Sequence, residues 1–332
     1  MSGQFENVAA DVAERPRTYF RTRRLGHANV WVGDYESQYE FYYRVLGFNK
    51  SYIQPDNKGA FVSNGNSHHD FGMIDVKSHY ASRADQKPGL NHLGFELRNE
   101  VELVEGYRRA IAAGIKFEAT ADHDVAHSLY IKDPDGNEIE LYADVVPDWR
   151  AVRAGTVIKN KPAYVPGVSS EPIAEELFVR NPTYLTVDGA VFHPLRTTHA
   201  SLIAGDFEAM YDFYTTFVGL KPFAGSRNTD FAVLAGSHST GDVVLHRARP
   251  KGGSGAGLHH VGVLVRDERD LDQAESVLSK LGVKIDSQIK HPARRALTIL
   301  DPDMLRVQMY VNRDWHPSAI AQLDPELALR LL

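Results

Sequence analysis

Apolar and polar positions along this chain repeat one pattern. The run Arg24–Val32, RLGHANVWV, alternates in the manner of a strand. It leads to Asp34, a side chain suited to cap a helix. Tyr35, Gln38 with Tyr39, Tyr42 and Leu46 then recur at helical spacing, and Gly47 supplies the stop. Strand-like pieces follow around Phe61–Ser63 and Phe71–Val76, divided by polar turns rich in Gly and Asn. At Gly89 the cycle restarts with a strand over His92–Arg98, a helix from Glu100 to about Ala113, and Gly114 as its stop. Two further strands, Ser128–Lys132 and Glu138–Tyr142, flank the turn Asp133-Pro134-Asp135-Gly136, with Pro second and Gly fourth.

The second half follows the same plan. Arg196–Leu220 mirrors Arg24–Phe48, setting His199 under His27, Asp206 under Asp34 and Gly219 under Gly47. Gly257–Val265 mirrors Gly89–Leu97 and sets His260 under His92, while Leu297–Tyr310 mirrors Leu129–Tyr142. The chain therefore reads as α+β, four β-α-β-β-β modules of about 50 residues paired into two domains. The expected divisions are an N-terminal arm at 1–20, a first domain at 21–144, a linker at 145–190, a second domain at 191–316 and a C-terminal tail at 317–332. The linker carries Pro147, Pro162, Pro166, Pro172 and Pro182 with weak periodicity, as suits a segment that wraps a domain or covers a site.

Composition narrows the function classes. With 332 residues, 43% of them hydrophobic, each half can bury its own core. A formal charge of −6 without basic clusters argues against nucleic acid or an anionic membrane as partner. No apolar run reaches the ~20 residues of a membrane span. The first residues lack the charged-then-apolar order of a signal peptide, so the expected location is cytoplasmic. The absence of cysteine removes disulfides and thiolate ligands, leaving histidine and carboxylate to hold any metal.

Candidate chemistry starts at Glu140. It shares one face of its strand with Glu138, opposite Ile139 and Leu141, and an inward carboxylate needs a partner. His27 and His92 lie in strand-like runs upstream. Two imidazoles and one carboxylate on strands of one sheet form the facial triad of non-haem Fe(II) oxygenases, and Mn(II) accepts similar ligands. Asn29 shares its strand face with His27, where it can touch a bound reactant.

These features resemble the vicinal oxygen chelate superfamily, and within it the two-domain type I extradiol catechol dioxygenases. The likeness spans roughly Arg21–Asp144 and His193–Trp315. Its narrower part is His123, Leu129-Tyr130, Asp133-Pro134-Asp135-Gly136 and Glu140 at the spacing of the extradiol signature, with Ala121 where another small or β-branched residue is usual. The resemblance implies Fe(II) on His27, His92 and Glu140, and cleavage of a catechol-type substrate by O2 to a muconic semialdehyde-type product. It implies His79, thirteen residues before His92, as the acid/base group, with His68 and His69 as rivals nearby. It implies His123 and Tyr130 as hydrogen-bonding partners of the substrate, and a homo-oligomer. Two other readings stay open: a glyoxalase- or epimerase-like metal enzyme that uses no O2, and a metal-free small-molecule binding protein.

The second half keeps His199, His246, His260 and His291 but carries Gln308 in place of Glu140 and Thr298 in place of Tyr130. A neutral amide gives less charge to a divalent ion, so the working site is expected in the first domain, whereas relatives usually keep it in the C-terminal one. Whether His199, His260 and Gln308 hold a second ion is left open. Bland readings are expected for Arg21–Arg24, a solvated strand entrance, and for His291–Arg295, a surface loop. Tyr39, Phe41, Tyr42 and Tyr43, like Tyr211, Phe213 and Tyr214, are expected to pack a helix on a sheet.

Overall fold

Strand alternation and capping residues produce the elements the pattern predicts. The computed structural model describes residues 18–79, 81, 85–153, 155–156, 163–179, 181–248 and 255–332; residues 1–17 of the expected arm lie outside them. The first half contains β1 (Thr22–Val32), α1 (Tyr35–Arg44), β2 (Asn49–Ile53), β3 (Gly59–Ser63), β4 (Phe71–Asp75), β5 (Gly89–Leu97), α2 (Glu100–Ala112), β6 (Ala119–Asp122), β7 (Ala126–Lys132) and β8 (Glu138–Asp144). Between the halves lie α3 (Trp149–Val152) and β9 (Gly155–Thr156). The second half runs β10 (Pro194–Ala204), α4 (Phe207–Asp212), β11 (Lys221–Gly225), β12 (Phe231–Ala235), β13 (Val243–Arg247), β14 (Gly257–Val265), α5 (Glu268–Lys280), β15 (Ile285–Lys290), β16 (Arg294–Leu300) and β17 (Arg306–Asn312). Two short helices, α6 (Pro317–Ile320) and α7 (Pro325–Leu331), end the chain.

Each half is one curled sheet. The first is ordered β6-β7-β8-β5-β1-β4-β3-β2-β9 and the second β11-β12-β13-β10-β14-β17-β16-β15. In both, the two modules join through their first strands, β1 antiparallel to β5 and β10 antiparallel to β14. Asp34 and Asp206 cap α1 and α4 by accepting from the backbone N–H groups of Glu36 and Ala209. Gly47 at φ +81° then stops α1, and Gly219 at φ +83° ends the π-helical turn Phe213–Phe217 that continues α4. A Cβ on Gly47 would sit 2.0 Å from the Phe192 carbonyl oxygen, and one on Gly219 1.8 Å from that of Phe20. Glycine is needed there because the other half's approach leaves no room.

The halves share one apolar core rather than two. Phe20 packs edge-on against Phe217 across the joint, so residues 18–20 belong to the folded body rather than to a loose arm. The two Asp-Pro-Asp turns dock reciprocally. Asp133 accepts from the Tyr214 hydroxyl at 3.1 Å and Asp135 from the Gly205 amide at 2.7 Å. Asp303 accepts from the Gly33 amide at 2.8 Å and the Gln38 side chain at 2.9 Å. Tyr42 on α1, its hydroxyl 3.4 Å from Asp301, and Tyr214 just after α4 each reach the partner half.

One bland expectation changes here, and the tail and linker gain definite places. Arg23 and Arg24 are buried rather than solvated, because Glu96 on β5 faces both and takes one hydrogen bond from each, at 2.7 and 2.5 Å. The tail is not loose: Ile320, Leu331 and Leu332 are fully buried on the second sheet. Part of the linker joins the first sheet, since β9 pairs with β2. No helix among the described residues is long and apolar enough to cross a membrane.

Candidate metal centre

Pairing registers bring the three proposed ligands together. His27 on β1 lies opposite Gly94 on β5, and Gly94 lies beside Glu140 on β8. Gly94 has no side chain between them; a Cβ there would fall 2.1 Å from His27 Nε2. His92 follows two residues before Gly94 on the same face. The result is a tight triangle of donor atoms. His27 Nε2 and His92 Nε2 each lie 2.9 Å from Glu140 Oε2 and 3.3 Å from each other.

Burial and charge prepare these atoms for a cation. His27 is fully buried, which lowers its pKa to about 4 and leaves the ring neutral at pH 7. Burial alone would raise Glu140, but the two imidazoles set against it hold its carboxyl well below the usual range. His92 Nδ1 lies 2.5 Å from Asn91 Oδ1, so a proton on Nδ1 leaves the Nε2 lone pair facing the triangle. Two imidazole lone pairs and a buried carboxylate converging on one point suit a divalent metal. Their geometry fits Fe(II) or Mn(II). A second trio, His27, His68 and His69, also has its nitrogens close together, but it lacks the anion that would balance the ion's charge.

The triangle opens into a cleft with a cavity volume of about 80 Å³. Three further proposed residues line it. Asn29 is buried and its Oδ1 has no partner. His123 Nε2 lies 2.8 Å from the Tyr130 hydroxyl and 3.7 Å from Glu140 Oε1. Tyr130 sits opposite Glu140 in the β7–β8 ladder, and burial beside that carboxylate raises its phenol well above the ordinary value. Phe61, Ile74 and Pro55 supply apolar walls.

His79 is not brought there. It stands on the turn after β4, 63% exposed, with Nδ1 3.2 Å from Asp56. The two rivals, His68 and His69, both line the cleft; the His69 ring lies 4.0 Å from that of His27 and its Nδ1 is 3.1 Å from the Tyr52 hydroxyl. Its Nε2 is buried without a partner. Counting back from the second ligand misses His69 because the β4–β5 connection is longer than its counterpart. The internal repeat fixes the frame around it but not the residue. Asp70 directly precedes β4, Asp242 directly precedes β13, and both buried carboxylates accept backbone N–H groups of the other half, Thr197 and Leu25. Aligning the halves on these aspartates sets His69 against Gly241 and Ile74 against His246, so the repeat does not mark His69 either.

The equivalent place in the second half is filled by the protein itself. His199, His260 and Gln308 are buried together. Arg294 Nη1 donates to Gln308 Oε1 at 3.2 Å and to the Leu331 carbonyl at 3.0 Å, and lies 3.4 Å from His199 Nε2. Its guanidinium stacks between Tyr310 and Trp315 at 3.8 and 4.1 Å. Arg294 and Arg295 are therefore buried rather than on a surface loop. A fixed cation stands where a second ion would need to sit.

The profile of the Glyoxalase/Bleomycin resistance protein/Dioxygenase superfamily matches residues 24–141 and 196–309. The catechol-2,3-dioxygenase of Bacillus subtilis (strain 168) is 26% identical over 79% of this chain and 90% of its own length. The biphenyl-2,3-diol 1,2-dioxygenase 2 of Rhodococcus globerulus is 25% identical over 46% of this chain and 79% of its own. Among solved structures, the 2,3-dioxygenase LapB from Pseudomonas sp. KL28 superposes with a TM-score of 0.63 at 18% identity, covering 89% of this chain and 93% of that one. The Mn(II)-bound glyoxalase from Novosphingobium aromaticivorans gives 0.62 at 16%, covering 90% and 86%. At these identities the structural likeness speaks for the fold.

Proposed function

Because this chain belongs to the glyoxalase/bleomycin resistance protein/dioxygenase superfamily, we propose that it is an extradiol dioxygenase. It would open the ring of a catechol-type substrate beside one hydroxyl, with both atoms of O2 entering a muconic semialdehyde-type product. The observation that carries this reading is the triangle of His27, His92 and Glu140 at the floor of a cleft with aromatic walls. The catechol-2,3-dioxygenase relative, matched over nearly its whole length, supports it.

His27, His92 and Glu140 would hold Fe(II), with Mn(II) as the other candidate. The ion supplies Lewis-acid and template chemistry to the two reactants. The remaining work falls to the protein. Ring opening needs a proton taken from a catechol hydroxyl and returned to oxygen. His69 Nε2, buried in the cleft without a partner, is placed to hold and return it. Tyr130 and His123, hydrogen-bonded to each other, orient the substrate oxygens, and the Asn29 amide offers a further polar contact. Phe61 and Ile74 flank the aromatic ring and keep water away. A cytoplasmic setting belongs to the same proposal.

The test is iron-loaded protein incubated aerobically with a catechol panel, following O2 uptake and the yellow ring-fission product. One O2 should disappear per catechol, and Glu140→Ala should lose both bound iron and O2 uptake. Full activity in that variant, or turnover that persists without O2, overturns the reading.

A further inference from the structure

Among the described residues that line the cleft, Arg153 is the one fixed cation, and it comes from the segment between the halves. The segment is held in place locally. Asp148 caps the single turn of α3 by accepting from the Arg150 amide, and β9 then pairs with β2 with Gly155 opposite Tyr52. Arg153, extended between these two anchors, is laid over Tyr52, its guanidinium carbon 5.1 Å from the ring centroid.

Its charge is weakly answered. The side chain is 9% exposed, and its nearest acid is Asp124, with Nη2 to Oδ2 at 3.5 Å, too long for a strong charged hydrogen bond. Its Nε is buried without a partner. A guanidinium has five donors in a planar fork and binds a carboxylate best through two of them. Glu140, the cleft's carboxylate, is already engaged by His27 and His92. Beyond its contacts with Tyr52 and Asp124, the cleft's cation therefore keeps donor capacity in reserve.

The position of this cation identifies what it can touch. Tyr52 and His69 stand between Arg153 and His27: the guanidinium lies over the Tyr52 ring, the Tyr52 hydroxyl meets His69, and His69 stacks on His27. Arg153 thus meets the ligand triangle only through Tyr52 and His69, and the part of a bound catechol that reaches it would be a ring substituent rather than the two hydroxyls. We propose that the substrate is a catechol bearing a carboxylate side chain, and that Arg153 is the residue selecting it. This rests on the dioxygenase reading and extends it to a substrate class.

The experiment compares iron-loaded wild type, Arg153→Gln and Arg153→Lys on 3,4-dihydroxyphenylacetate and 2,3-dihydroxyphenylpropionate against uncharged 4-ethylcatechol and 3-ethylcatechol. Wild type should favour a carboxylated catechol by tenfold or more in kcat/KM. Arg153→Gln should lose roughly 30- to 100-fold on that substrate, at least ten times its loss on the uncharged ones, with Lys restoring part. Equal losses on both classes, or a wild type that favours the uncharged catechols, overturn the inference. Anaerobic calorimetric titration of the same proteins separates the two claims. If no catechol is cleaved, the dioxygenase reading fails, while tighter binding of the carboxylated catechol to wild type than to Arg153→Gln still supports Arg153. Equal or absent binding removes it.

Discussion

At the scale of single residues, the acid/base group separates sequence spacing from geometry. His79 is where a fixed offset from His92 points, yet it stands in solvent beside Asp56, while His69 lines the cleft. Replacing a group that passes a proton in a buried site costs about 10²-fold or more in kcat. His69→Asn should therefore lower kcat for ring cleavage by at least that factor with iron content kept, whereas His79→Asn should stay close to wild type. Steady-state O2 uptake on both variants, with metal analysis beside it, decides the matter. A large loss in His79→Asn alone would return the role to the exposed residue.

At the scale of elements, the Asp-Pro-Asp turns do more than join two strands. Each presses buried carboxylates against the other half, and burial pushes Asp301 up to about 6. Its folded pKa lies above the ~3.9 of an unperturbed Asp, so the folded state holds this proton after the unfolded chain has released it. The charge therefore costs stability progressively as pH rises from about 4 to about 6, and the full cost stands above that. Asn at this position can still accept from the Asp303 and Leu305 amides. Asp301→Asn should thus compare more favourably with wild type at pH 7 than at pH 4.5, by about 1–2 kcal/mol. Denaturant unfolding at the two pH values reads this directly, and an equal effect at both would contradict it.

At the scale of the whole molecule, a duplicated fold has kept one polar pocket and closed the other. Gln308 stands where the first half has Glu140, and Arg294 with residues Leu331 and Leu332 occupies the equivalent place. A guanidinium and a divalent cation repel at such range. The metal-loaded protein should hold one equivalent of iron per chain, and Gln308→Glu should add none, because Arg294 would pair with the new carboxylate. Elemental analysis after loading and desalting measures this; two equivalents in wild type would refute the account.

The repeat, the α+β class and most elements could be read from the chain because strand alternation, capping aspartates and glycine stops are local signals. The same holds for the proximity of His27, His92 and Glu140, since internal duplication places each at an equivalent strand position. Other features depended on contacts between residues far apart in sequence. Arg23, Arg24 and Arg294 look like solvated charge until Glu96 or Gln308 is brought against them. Arg153 reaches the cleft only because β9 adds to β2, and His69 only because the β3–β4 turn folds back onto His27. Hydrophobic periodicity records which way a side chain faces along its own strand or helix. Which distant group meets it there is set by sheet order and register, so only the tertiary structure decided it.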